Sequence, residues 1–198
     1  MLDGKRTNKD IFAKTYAEGS KSRVGLLAVN KEVRTSHLIP NLTYPAPANL
    51  RQIHEEAIQV FYAHTLKLES TTTLLDFLSQ IPTSVRPLLH SLEIKTFIKT
   101  TSRNAMHFLA EAKNLTQLRI DSGVFNEGDP VKAAKAFYAD AYKFLEAIGS
   151  EKGDKDAGVD VLEFGKTAFT FKDEKKNPKP WAEALVTEFK ENLRQKLK

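Results

Sequence analysis

The chain of 198 residues contains no cysteine. It therefore has no disulfide framework, no thiolate nucleophile and no cysteine-ligated zinc site. The absence of cysteine favours a reducing compartment, so we expect an intracellular protein of the cytoplasm or the nucleus. Residues 1–5 also lack the apolar run of a secretory signal, which agrees with that expectation.

Long apolar runs are lacking too. No stretch approaches the roughly 18 apolar residues that are needed to cross a bilayer, so we expect no membrane-spanning segment. The chain is nevertheless 41% hydrophobic, which is enough to fill the core of one domain of ordinary size.

Signatures of metal sites and of catalysis are scarce. No H-E-x-x-H spacing joins the histidines, which are His37, His54, His64, His90 and His107. His54 fits the solvent-exposed face of an amphipathic helix. His64 and His90 occupy equivalent positions, each just before a segment that is predicted below to be a strand. No serine or threonine stands in the sequence context of an activated nucleophile. We therefore expect no metal site and no catalytic residue.

Two glycine-containing loops lack the sequence motifs of nucleotide-binding and calcium-binding loops. Residues 149–154 (GSEKGD) lack the Gly-Lys-Ser/Thr ending of a phosphate-binding loop. Residues 154–160 (DKDAGVD) resemble the start of a calcium loop, but Gly158 stands at the third oxygen position and Gly165 at the place of the final glutamate. We expect no cofactor. An enzyme of unrecognised class stays open as an alternative, and it would show a deep polar pocket near these loops.

What the sequence does contain is a repeat. The run Leu66-Lys67-Leu68-Glu69 is followed by Leu92-Glu93-Ile94-Lys95 and by Leu118-Arg119-Ile120-Asp121, each 26 residues after the one before. In a fourth copy, residues 159–164 (VDVLEF), Leu162 comes 44 residues after Leu118, as if a longer helix had been inserted before it. A fixed period in the twenties is typical of stacked strand-helix repeats of the leucine-rich kind.

Alternation inside each copy predicts one apolar and one charged face of a sheet. The apolar face carries Leu66 and Leu68, Leu92 and Ile94, Leu118 and Ile120, and Leu162 and Phe164. If the strands lie side by side in chain order and in register, Lys67, Glu93, Arg119 and Glu163 alternate in sign across the other face, and so do Glu69, Lys95 and Asp121. Each such neighbour contributes about 0.2–1 kcal/mol. The pattern favours an open sheet, sequential and mostly parallel, with helices on one face.

Helix signals occupy the segments between the predicted strands. A cap at Ser70/Thr71 and a stop at Pro82 delimit one helix, and another is predicted after Ser102. Residues 53–64 carry an amphipathic 3.6-residue period.

Two further helices follow the third strand. The strongest pattern begins at Asp129-Pro130, a cap with proline at the first helical position, and runs until Gly149. A last helix, from about Pro180 to the C-terminus, is predicted to bury Trp181, Phe189 and Leu193 and to cap the open end of the stack.

The net charge of +5 comes from the ends of the sequence. Lys and Arg outnumber Asp and Glu by 6 to 3 in residues 1–23 and by 8 to 5 in residues 172–198, whereas the numbers are 16 and 17 between them. An alternative function is therefore nucleic-acid binding, with phosphate contacts and stacking rings near the C-terminus. The lysines concerned are Lys166, Lys172, Lys175, Lys176 and Lys179, and the rings are Phe169, Phe171 and Trp181.

Several segments of residues 24–122 resemble a mostly uncharacterised fungal family related to F-box and leucine-rich-repeat proteins. They are residues 26–31 (LLAVNK), residues 52–57 (QIHEEA) leading to Phe61-Tyr62, and residues 86–92 (RPLLHSL). In that family the first two pieces are contiguous on one helix, whereas here the proline-containing residues 32–51 lie between them and cannot continue a helix. The resemblance implies a fungal origin and a non-catalytic binding scaffold, and it transfers no active site.

The sequence thus predicts one α/β repeat domain of the leucine-rich-repeat-like type over residues 24–198, with a basic N-terminal segment at 1–23 and an inserted loop at 32–51. We expect it to bind a protein partner through its concave strand face or the flanking loops. The candidate contacts are Lys67, Glu69, Glu93, Lys95, Arg119 and Asp121. The simpler interpretation, that this charge ladder only keeps the sheet soluble, stays open.

Overall fold

The computed structural model describes residues 11–18, 21–30, 33–37, 58–172 and 177–198. Three strands come first, β1 (Ile11–Glu18), β2 (Lys21–Asn30) and β3 (Val33–His37), and residues 58–62 are the described part of a helix, α1. The repeats follow as β4 (Thr65–Ser70), α2 (Thr71–Gln80), a 3-10 helix (Arg86–Leu88), β5 (Ser91–Thr96), α3 (Lys99–Leu109) and β6 (Gln117–Phe125). The C-terminal part contains α4 (Pro130–Lys152), α5 (Ala157–Asp160), β7 (Leu162–Lys172), β8 (Pro178–Pro180) and α6 (Glu183–Leu197).

The sheet confirms the predicted strand order. Its described strands run β3-β2-β1-β4-β5-β6-β7-β8, and β4, β5, β6 and β7 are parallel neighbours in chain order. The register is also the predicted one, because Leu66 pairs with Leu92, Leu92 with Leu118, and Leu118 with Leu162. The fold is therefore α/β with a mostly parallel sheet, and a C-terminal helix follows it.

Hydrogen bonds between equivalent side chains connect one repeat to the next. The Thr65 hydroxyl donates to Ser91 Oγ at 3.1 Å, and Ser91 in turn donates to Gln117 Oε1 at 2.9 Å. Each of these bonds spans 26 residues, which is the period of the sequence. The buried Thr71 hydroxyl reaches the next connection, where it accepts from the Ile98 amide at 2.9 Å. The repeat in the sequence is thus a physical repeat of contacts.

One apolar core lies between the sheet and the helices. The inward strand residues are buried, as predicted, except for Phe164, which is half-buried. They share a cluster with Leu74 and Leu78 of α2, Met106 and Leu109 of α3, and Phe137 of α4. Burial of this kind supplies most of the stabilisation of such a layered fold. Since the charged residues of the same strands point away from the cluster, the helices that join β4 to β7 all cover the apolar face of the sheet.

The helix boundaries agree with the sequence where a cap defines them. Ser70 accepts from the Thr73 amide at the start of α2, and Asp129 accepts from the Lys132 amide at the start of α4. The predicted start of α3 after Ser102 is wrong, because the helix begins at Lys99. Ser102 lies inside it, where its buried hydroxyl donates to Asp140 Oδ2 of α4 at 2.8 Å.

The predicted end of α4 at Gly149 is also wrong. The helix continues to Lys152 and ends at Gly153, which has the left-handed φ of 68°. Gly149 serves a different purpose, since a Cβ there would lie 3.2 Å from the Asp154 carbonyl oxygen and from Lys155 Cα. The glycine lets the returning chain pass close to the helix.

Three other sequence expectations need adjustment. The fourth copy is a strand only from Leu162 onward, because residues 157–160 form the short α5. Within the segment 32–51, predicted as an inserted loop, residues 33–37 form β3 and pair with β2. Residues 38–51 lie outside the described part of the chain. Residues 26–30, which the family resemblance would assign to a helix, lie in β2.

The C-terminal helix packs on α4 next to the last parallel strand. Phe189 and Leu193 of α6 are buried in the common core, and Lys190 Nζ donates to the Leu162 carbonyl at 2.7 Å. Burial lowers the pKa of this ammonium group. The helix thus follows the repeats, as predicted, but it begins at Glu183 rather than near Pro180, because Pro178–Pro180 forms β8.

Candidate functional site

The six candidate contact residues lie on one surface, the outward face of β4, β5 and β6. We call this surface the strand face; Glu163 of β7 continues it. Glu69, Lys95 and Arg119 are exposed, whereas Lys67, Glu93 and Asp121 are half-buried among their neighbours. The strand face is built by strand alternation alone, because every second residue of a parallel strand points away from the helices.

The first charged row contains Lys67, Glu93, Arg119 and Glu163, which are direct partners in the register of the sheet. Lys67 Nζ lies 3.3 Å from Glu93 Oε2. The charges therefore alternate in sign between neighbouring strands, which stabilises the order of the strands.

The second row contains Glu69, Lys95 and Asp121. Asp121 is turned toward the first row, where its Oδ1 accepts from Arg119 Nε at 2.9 Å. Arg119 thereby sits among three carboxylates: the hydrogen bond and charge of Asp121 raise the pKa of the guanidinium, and Glu93 and Glu163 raise it further. Lys95 forms no ion pair with another described residue. Among the described cations on the outward face of β4, β5 and β6, Lys95 is therefore the one without an ion pair.

Gly165 shapes the strand face, although its sequence context alone does not predict this role. The pairing of β6 with β7 shifts by one residue between Ile120 and Ser122, and at this bulge a Cβ on Gly165 would lie 2.6 Å from Asp121 Oδ1. The missing side chain leaves room for the Asp121 carboxylate to turn toward Arg119. A glycine inside a predicted strand is a signal for such a close approach.

A third row of uncharged polar residues, Thr65, Ser91 and Gln117, borders the first row. Its side chains are joined by the hydrogen bonds described above, so they hold one another in place. Alternation predicts these residues on the same face, but only the charged positions of that face were predicted as partner contacts. The strand face is thus a continuous polar surface in which most charges are internally paired.

The histidines take no part in a metal site that the structure describes. His64 and His90 are both exposed immediately before β4 and β5, and the His90 carbonyl accepts from the Thr116 hydroxyl at 2.9 Å. Across the described ranges, no group of three or more His, Cys, Asp or Glu residues is arranged to hold a metal ion. His37 lies in β3, and His54 lies outside the described residues.

The aromatic rings of the nucleic-acid hypothesis belong mainly to the core. Phe169 and Trp181 stack on each other with centroids 4.7 Å apart, and both are buried. Trp181 Nε1 donates to the Glu127 carbonyl at 2.9 Å, which fixes the indole inside the protein. These two rings have no free face for a base; Phe171 is half-buried. Lys166, Lys172 and Lys179 are exposed, while Lys175 and Lys176 lie outside the described residues.

Comparison with known proteins gives no significant match to a protein-family model, to a curated protein or to a solved structure. In the part of the chain that the structure describes, no helix combines the length and the apolar character that a membrane crossing requires.

Proposed function

We propose that this protein is a non-catalytic protein-interaction module of the leucine-rich-repeat-like type, as the resemblance to the fungal F-box and leucine-rich-repeat family implies. The repeat-like architecture is supported by the 26-residue period, which recurs in the hydrogen bonds between β4, β5 and β6. The absence of cysteine supports a function inside the cell, in the cytoplasm or the nucleus.

The observation that carries the proposal is the strand face. It presents charged side chains in fixed register, and Asp121 holds Arg119 in one orientation at 2.9 Å. A preorganised pattern of charges makes binding specific for a complementary partner and speeds association. Because the side chains are already held in place, little conformational entropy is lost on binding. Lys95, exposed and without an ion pair among the described residues, is the position at which a partner would find an unpaired cation.

The test is a quantitative pull-down from lysate of the source organism with wild type, Lys95→Glu and Arg119→Glu. We expect recovery of a specific partner to fall about tenfold in both variants, because each reversal replaces attraction by repulsion at the interface. Lys99→Glu is the matched control: it makes the same charge change at an exposed position of α3, on the helical side of the sheet. Equal recovery of every captured protein by all four forms would count against the strand face as the binding surface.

A further inference from the structure

A second surface lies on α4. Among the large apolar residues that the structure shows to be exposed, Val131 and Tyr142 both belong to this helix, with 53% and 38% exposure. Tyr138 is half-buried beside Tyr142, with ring centroids 6.3 Å apart. These residues follow the spacing of one helical side, and Lys135 and Glu146 lie on the same side. We call these five residues the α4 ridge.

The length of the α4 ridge suits another helix. From Val131 to Glu146 the helix rises by about 22 Å, at roughly 1.5 Å per residue. This is enough for about four turns of a partner helix, whose apolar stripe would pack on the valine and the two tyrosines. Tyrosine is also enriched at the centres of protein interfaces, since it combines a large apolar ring with a hydroxyl.

The polar groups of the α4 ridge are available for contacts. Among the described residues, neither the ammonium groups of Lys135 and Lys143 nor the hydroxyls of Tyr138 and Tyr142 engage in a hydrogen bond or an ion pair. Lys143 lies next to Tyr142 and flanks the α4 ridge. By contrast, the nearby Asp140 is already bound by Arg103 at 3.2 Å and by Ser102.

The sign of the charge indicates the partner. Lys132, Lys135 and Lys143 surround the exposed apolar residues, and of these Lys132 is partly neutralised by Asp129 at 3.4 Å. Glu146, at the C-terminal end, is the single carboxylate of the α4 ridge. We propose that the α4 ridge docks an amphipathic helix of a protein partner that carries carboxylates beside its apolar stripe. This surface lies on the opposite side of the sheet from the strand face, and the inference does not depend on the function proposed for that face.

Two synthetic 16-residue amphipathic helices test the inference, with the same leucine stripe flanked by glutamates in one and by lysines in the other. Fluorescence anisotropy with the full chain should show that the acidic peptide binds at least tenfold more tightly than the basic one. Added salt should weaken this binding. Tyr142→Ala and Lys135→Glu should each reduce the affinity for the acidic peptide about tenfold, while Tyr142→Phe should retain most of it.

Lys99→Glu on α3 again supplies the control for charge, and thermal unfolding followed by circular dichroism checks that each variant is folded. Equal affinity for both peptides, no binding of either, or binding that ignores Tyr142 and Lys135 would overturn the inference. A third arm uses phosphatidylserine-containing vesicles. Vesicle binding that depends on both residues while the acidic peptide fails would assign the α4 ridge to an anionic membrane surface and would also overturn it.

Discussion

Arg86, a residue that is only 5% exposed, donates from its guanidinium Nη1 to Glu111 Oε2 at 2.8 Å. The same guanidinium lies 4.9 Å from the centre of the Phe108 ring. Its Nε is buried and has no hydrogen-bond partner among the described residues. This ion pair connects the 3-10 helix before β5 to the segment that follows α3. The cation of the pair is buried, whereas its carboxylate partner is half-exposed.

Glu111→Gln should destabilise the protein by about 2 kcal/mol, because it leaves the buried cation without its counter-charge. This is less than the loss for a fully buried pair, since Glu111 is 46% exposed and water can replace part of the contact. Urea denaturation measures the change. Glu151→Gln is the control, since its pair with Lys113 is exposed on both sides and should shift stability by under about 0.5 kcal/mol. A similar loss in both variants would contradict the role assigned to Arg86.

Gly165→Ala should destabilise the fold by about 1–3 kcal/mol, because the added Cβ meets Asp121 at both its backbone and its carboxylate. The measurement is again urea denaturation. Gly128→Ala is the matched control, since a Cβ there would lie 3.7 Å from its nearest neighbour, in ordinary contact. If both substitutions leave stability unchanged, Gly165 is not the element that makes room for Asp121.

A double-mutant cycle tests the charge ladder between β4 and β5. Lys67→Gln and Glu93→Gln should show a coupling energy of about 0.2–1 kcal/mol, because the two groups lie 3.3 Å apart on neighbouring strands. Lys67→Gln combined with Glu188→Gln of α6 should be additive. Free energies of unfolding at low salt provide the values, and additivity of the first pair would show that the ion pair does not stabilise the strand order.

The α4 cap should make stability depend on pH in the acidic range. The hydrogen bond from the Lys132 amide holds the pKa of Asp129 below its ordinary value. A carboxylate with a lowered folded-state pKa stabilises the fold above its unfolded value of about 3.9, and this contribution is lost as the pH falls through the lower folded value. Asp129→Asn keeps a cap but cannot titrate, so its melting temperature should fall less than that of wild type between pH 5 and pH 2. An identical fall in both would exclude Asp129 as a source of the pH dependence.

Much of the fold could be predicted because local and global signals agree. Alternating leucines define strands, and the signs of Lys67, Glu93 and Arg119 define which strands are neighbours. The caps at Ser70 and Asp129 define two helix starts. The errors occurred where a residue type can serve more than one physical role. Ser102 was predicted to start a helix, but its hydroxyl donates to Asp140 from inside the helix. Gly149 was predicted to end a helix, but it lies within the helix and leaves space for the chain that returns past it.

The candidate contact residues were predictable as a face, but not as a set of pairs. Alternation assigns Asp121 to the outward side, yet it cannot tell whether the carboxylate bonds along its own strand or across to the next. The bulge at Gly165 decides this, and it arises from the pairing of β6 with β7, which are separated by the whole of α4. The hydrogen bond from the Trp181 indole to the Glu127 carbonyl is likewise a long-range contact that local spacing does not predict.

The sequence by itself determined the order, register and inward face of the parallel strands, because a period of 26 and an alternation of two repeat the same local rule. Tertiary structure alone decided which charges are paired and which carbonyl the buried indole of Trp181 binds. These contacts depend on distances between segments that are far apart in the chain. The same residue types at the same local spacing are compatible with several different sets of contacts.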